Sequence, residues 1–176
     1  MLLLFSQRGI SSSNQVPHFS DYPSNGVFDG KPAKVILKTP DEKNYRTRLR
    51  DASVEKIDFA GEYVLTYWGC GCCCRSLAAI SKKTGKVAFL KDPIIQPFAD
   101  INEDILQYRL DSKMLVVIGQ LGEKDDSHGF GRHYFIMTDK GFKKIHFTQL
   151  PTLSSEEVGK RIRKGLDDAH KQMSNK

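Results

Sequence analysis

The chain has 176 residues, an apolar share of 39% and a formal charge of +6, which is the size of one hydrophobic core and too little for two comfortable ones. Its longest apolar stretches, such as residues 114–118, fall far short of the ~20 residues a spanning helix needs, so no transmembrane segment is expected. The basic residues gather in 31–50 and 160–176, where Asp41, Glu42, Asp167 and Asp168 interrupt them; with no RNA or DNA signature motif they read as a solvated face, and no nucleic-acid partner is expected.

Residues 1–5 are apolar, but a secretory signal requires a basic start, roughly 7–15 apolar residues and a small-residue cleavage site, so no leader is evident. Residues 6–33 are rich in Ser, Asn, Pro and Gly and lack sustained periodicity. We therefore read 1–33 as an irregular N-terminal arm and 34–153 as a β domain. Short β-rich runs follow one another at 35–37, 54–59, 62–68, 77–81, 87–90, 114–119, 133–138 and 142–147. Lys82-Lys83-Thr84-Gly85 and Asp139-Lys140-Gly141 separate two pairs of these runs and predict hairpins, with Gly available for positive φ.

Helix is scarce in the middle, where residues 100–108 could form two turns after an Asp cap. At the end, Ser154 and Glu157 form a capping box, and Val158, Ile162, Leu166 and Ala169 recur on one helical face. A C-terminal helix over 154–176, packed on the domain, is expected. The fold class is thus mainly β (α+β): an antiparallel meander or a small two-sheet, propeller-blade-like arrangement with a C-terminal helix.

The most unusual local feature is Phe59-Ala60-Gly61-Glu62-Tyr63-Val64-Leu65, followed by Trp68-Gly69-Cys70-Gly71-Cys72-Cys73-Cys74 and the hairpin Ile80-Ser81-Lys82-Lys83-Thr84-Gly85-Lys86-Val87. Over roughly residues 19–147 the sequence resembles a family of bacterial exported proteins of uncharacterised function. Those proteins carry a phrase like F-A-G-H-Y-V-L, then W-G-C-G-T-G-C, then an I-D-x-x-T-G hairpin. The resemblance names no activity. It implies an envelope or secreted setting, with Cys70 and Cys74 matching the family's two cysteines. Cys72 and Cys73 stand where Thr and a small residue are usual, and Glu62 where His is common.

Four thiols within five residues admit three chemistries. A Cys70–Cys74 disulfide, the pairing the resemblance implies, would pin a tight loop and contribute about 2 kcal/mol by the chain-entropy formula. A structural zinc site would need four converging ligands, usually from two separated knuckles, and the chain has no second cysteine pair, only His128 and His133 within the later loop. A nucleophilic cysteine would need a base, for which His133 is the candidate, oriented by Asp125 or Asp126. The loop 121–131, with its acidic residues, lacks EF-hand spacing and reads as a hairpin connection.

From these residues we expect a non-catalytic binding protein of the bacterial envelope, an inhibitor or immunity protein masking a partner protein. It would be periplasmic or secreted, with a cytoplasmic setting as the alternative. The binding surface is expected to comprise Trp68, Cys70, Cys72, Cys73, Cys74, Arg75, Asp125, Asp126, His128 and His133, since recognition residues concentrate on loops held by a rigid sheet. No catalytic residue, metal ligand or cofactor is assigned. The rival is a thiol- or zinc-dependent enzyme centred on the Cys70–Cys74 loop.

Overall fold

The computed structural model describes residues 15–71, 74–95, 104–122 and 129–151, together with Glu156, Glu157, Lys160 and Arg163. Strands β1 (Tyr63–Gly69), β2 (Cys74–Ser81), β3 (Val87–Phe89), β4 (Ile94–Ile95), β5 (Leu106–Tyr108), β6 (Met114–Leu121), β7 (Gly131–Thr138) and β8 (Gly141–Gln149) form one antiparallel sheet. Their order is β1-β2-β4-β6-β7-β8, with β3 also paired to β2 and β5 to β6. The fold is mainly β, as the alternating runs predict.

Period-two alternation explains how this sheet is covered on every face. In β2, Leu77 and Ala79 enter one cluster with Leu115 and Val117 of β6 and Phe135 and Met137 of β7. The intervening Ala78 and Ile80 point the opposite way, to Leu49 and Trp68. Likewise Met114, Val116 and Tyr134 face outward to Phe19 and Tyr22 of the arm.

The two-residue β4 is the bridge at which the sheet divides into two wings, β1–β3 and β5–β8. The wings fold toward each other, and a methyl on Gly141 of β8 would touch the Ala88 side chain of β3. Phe59, fully buried, plugs the space between them: its ring lies 6.2 Å from Tyr63 on one wing and, on the other, 6.2 Å from Tyr108 and 6.3 Å from Phe142.

Both expected hairpins form. β2 pairs β3 with Ile80 opposite Val87, and β7 pairs β8 with Thr138 opposite Gly141. Gly85 takes φ +74°, and a Cβ there would run into the Lys34 carbonyl, so a larger residue at this turn would clash.

Two stretches differ from the sequence reading. Residues 40–54 hold two helices, α1 (Pro40–Asn44) and α2 (Arg46–Val54), so Val54 closes a helix where a strand was expected. Thr39 Oγ1 accepts from Glu42 N–H (3.2 Å) while Glu42 Oε2 accepts from Thr39 N–H (2.7 Å), a reciprocal cap with Pro40 in the first turn. Residues 106–108, expected at the end of a short helix, instead pair with β6, because Leu106 gains burial there against the shared core. Residues 35–37 are in no strand; Ile36 N–H bonds the Gly85 carbonyl, and Val35 and Leu37 pack on the α2 side.

The arm is fastened by backbone bonds: Ser24 N–H to Asp111 O (2.9 Å), Phe28 N–H to Gly61 O (2.7 Å) and Ala33 N–H to Lys82 O (2.8 Å). Ser112, almost fully buried, donates to the Phe19 or Tyr22 carbonyl. Glu156, Glu157, Lys160 and Arg163 are helical, with a Glu156–Lys160 ion pair at 2.8 Å; the packing expected of the C-terminal helix lies outside the described residues.

Candidate functional site

β1 and β2 form a hairpin in register from Tyr63 opposite Ser81 to Gly69 opposite Arg75, which brings both ends of the Cys70–Cys74 loop together. Cys70 N–H donates to the Cys74 carbonyl at 3.1 Å. The sulfurs of Cys70 and Cys74 stand 2.10 Å apart, at disulfide distance, with their Cα atoms 5.3 Å apart. The tip is continued into the sheet, since Cys74 and Arg75 pair with Ile95 and Ile94.

Adjacent residues of β1 have opposite fates at this tip. Trp68 turns toward the helices, is 5% exposed, and has its ring 4.6 Å from Tyr45 and 6.3 Å from Phe89. Its Nε1 is buried with no hydrogen-bond partner among the described residues. Tyr67 turns the other way, beyond the end of the shared core, and is 51% exposed. The Arg75 guanidinium lies 5.5 Å from the centroid of the Tyr67 ring, a cation–π stack on the same face. Trp68 therefore anchors the tip, and Tyr67 with Arg75 presents it.

Tyr67 and Arg75 line a groove of about 710 Å³ with Phe19 and residues 104–108. One wall of it is held by a polar contact between the wings. Asp58 Oδ1 accepts from Leu65 N–H on β1 (2.9 Å), and Oδ2 accepts from Tyr108 Oη on β5 (3.3 Å). Burial pushes the Asp58 carboxyl above its ordinary value, partly offset by these bonds. Burial, then the Asp58 charge, raises Tyr108 as well.

His133 is placed elsewhere. It is fully buried on β7, its Nε2 3.0 Å from the Gly119 carbonyl and its ring 4.7 Å from Phe147. Of the expected surface, Trp68, Cys70, Cys74 and Arg75 are thus brought together, and His133 is interior. Cys72, Cys73, Asp125, Asp126 and His128 lie outside the described residues. Among the described residues no group of three His, Cys, Asp or Glu side chains could hold a metal ion.

Glu62, where the resembled family commonly has His, lies at the far end of β1. Its Oε1 accepts from the buried Ser81 hydroxyl at 2.8 Å. Tyr63 beside it is pushed up to about 12 by burial, with the charges of Glu62 and Asp139 adding to it. The residues that sequence reasoning missed are Tyr67, Phe19 and 104–108.

No protein-family model, curated protein or solved structure matches this chain. Among the described residues no helix is long and apolar enough to cross a membrane.

Proposed function

We propose that the protein is a non-catalytic binding protein of the bacterial envelope, in the class of inhibitors and immunity proteins, and that it recognises a partner protein through the groove beside the Cys70–Cys74 tip. The observation that carries this reading is the exposed Tyr67 with Arg75 stacked on it. Tyrosine and arginine dominate the energetic centres of protein interfaces, because each offers a large rigid contact area with a polar end. The paired sulfurs favour an oxidising compartment and a structural use of the tip.

The test has two arms. On purified, unreduced protein, Cys70 and Cys74 should be unreactive and no zinc should be bound in stoichiometric amount; one rapidly alkylated low-pKa thiol, or stoichiometric zinc, would favour a thiol or zinc enzyme instead. In the native host, the partner that co-purifies with the wild-type chain should bind Tyr67→Ala and Arg75→Ala about tenfold or more weakly, the loss typical of residues at an interface centre. Unchanged binding by both variants would place the recognition surface elsewhere.

A further inference from the structure

Among the described residues β5 is paired along one edge only. Ile118 N–H donates to the Ile105 carbonyl at 2.8 Å, which makes 105 and 118 a hydrogen-bonded pair in the β5–β6 register. Such pairs alternate along an antiparallel ladder, so Gln107 with Val116 is the next, and Leu106 and Tyr108 turn their N–H and C=O groups away from β6. No described residue bonds the main chain of Leu106 or Tyr108 on that outer side. The same strand lines the groove that holds Tyr67, Arg75 and Phe19.

An unpaired strand edge inside a groove supplies both elements of strand addition: sequence-blind main-chain bonds, and flanking side chains that select residues at alternate positions. Charge sets what is selected. The Arg75 guanidinium forms no ion pair with any described carboxylate, Asp104 of the same groove included. Among the described residues the guanidinium meets the Tyr67 ring and no carboxylate, so the groove as described sets its donors toward a carboxylate from a partner.

We propose that the partner enters this groove as an extended segment that adds a strand to the outer edge of β5 and sets an acidic side chain against Arg75. The proposal rests on the binding-protein reading above and gives the partner's form and charge. Asp104 excludes an acidic side chain at its own end of the groove, so the two charges together fix the register of the segment. The Tyr67 ring receives an apolar side chain of the inward face, on the side of Arg75, and the Phe19 ring one of the outward face.

Short linear peptides displayed on phage and selected on the intact, unreduced chain provide the probe. Selected peptides should carry Asp or Glu, slow the amide exchange of Leu106 and Tyr108, and bind Arg75→Glu about tenfold or more weakly. A peptide with Lys in place of that acidic residue should recover binding to Arg75→Glu. Methylating the peptide nitrogens one at a time should weaken binding at alternate positions by about tenfold and leave the intervening positions unaffected, because only one set donates to the edge. Uniform tolerance of methylation, protection of amides elsewhere, or failure to select any peptide would overturn strand addition while leaving the binding-protein reading in place. A dimer of the chain that peptides displace from β5 would assign the edge to a second copy and also overturn it. A reactive thiol or bound zinc would instead remove the reading on which the proposal rests.

Discussion

Lys82 shows how much one side chain holds in place here. It is 7% exposed, and its Nζ donates at 2.6 Å to the Ser53 carbonyl in the last turn of α2, where helix carbonyls lack partners and the helix dipole favours a cation. Its N–H bonds Glu62 O (2.8 Å) and its carbonyl accepts from Ala33 N–H (2.8 Å), so helix, β1 turn and arm meet at one residue. Lys82→Met keeps the apolar stem and removes the donor. It should cost about 1–3 kcal/mol in urea unfolding, the usual penalty for a buried acceptor left unbonded. Trp68 poses the opposite case, a buried donor with no partner among the described residues. Its fluorescence should be blue-shifted, and Trp68→Phe should cost clearly less than the ~3–5 kcal/mol expected of Trp68→Ala, because phenylalanine keeps ring contacts with Tyr45 and Phe89 and removes the unbonded N–H. Equal losses in the two variants would show that a phenyl ring recovers none of the contacts with Tyr45 and Phe89.

At the scale of elements, the hairpin tip and the turn before β1 give the sharpest tests. The five-residue closure from Cys70 to Cys74 should contribute about 2 kcal/mol, so replacing both with Ser should lower the melting temperature by roughly 4–8 °C. In the turn, Ala60 has φ 51° and Gly61 φ 78°. Glycine suits position 61, where a Cβ would strike the Gly26 carbonyl. Alanine does not suit position 60: the left-handed conformation costs it about 1–2 kcal/mol, against roughly 0.5–1 kcal/mol for the extra chain entropy of glycine. Ala60→Gly should therefore be neutral or stabilising by up to about 1 kcal/mol, and a clear loss would mean that the Ala60 methyl packs more tightly than its backbone strains. The same elements show what could be read in the chain. β1, β6, β7 and both Gly hairpins follow from alternation and turn residues, which act locally. α2 escaped because Leu49 is its one fully buried residue, so no apolar stripe marks it, although Thr39-Pro40-Asp41-Glu42 spells its predecessor's cap. β5 escaped because three residues become a strand only through β6. The tip was legible from its cysteines, whereas the groove joins Phe19, Tyr67 and residues 104–108 from distant segments and has no local pattern.

The whole molecule depends on how firmly its two wings are held together, since β4 joins them with a strand of two residues. Away from that bridge, Asp58 is a polar tie between them, accepting from Leu65 N–H on one wing and Tyr108 Oη on the other. Burial raises its carboxyl above the ordinary value. The sign follows from linkage: as pH rises, the unfolded chain releases this proton first, so stability present below about pH 4 is lost as pH climbs through the folded value. The carboxylate is thus held at a cost that its two bonds offset only in part. Asp58→Asn keeps an oxygen for Leu65 N–H and offers Tyr108 Oη an N–H donor in place of an acceptor, while removing the buried charge. It should unfold at higher urea than the wild type at neutral pH, with the difference vanishing near pH 3, where the wild-type carboxyl is also neutral. Asp58→Ala should be less stable than both at either pH, because Leu65 N–H and Tyr108 Oη lose their partner together. If Asp58→Asn instead loses as much as Asp58→Ala at neutral pH and its deficit against the wild type closes in acid, where the wild-type carboxyl is also neutral, the charge itself binds the wings. Tyr108 would then be positioned in the groove by an ionic tie, and partner binding should weaken on acidification along with stability.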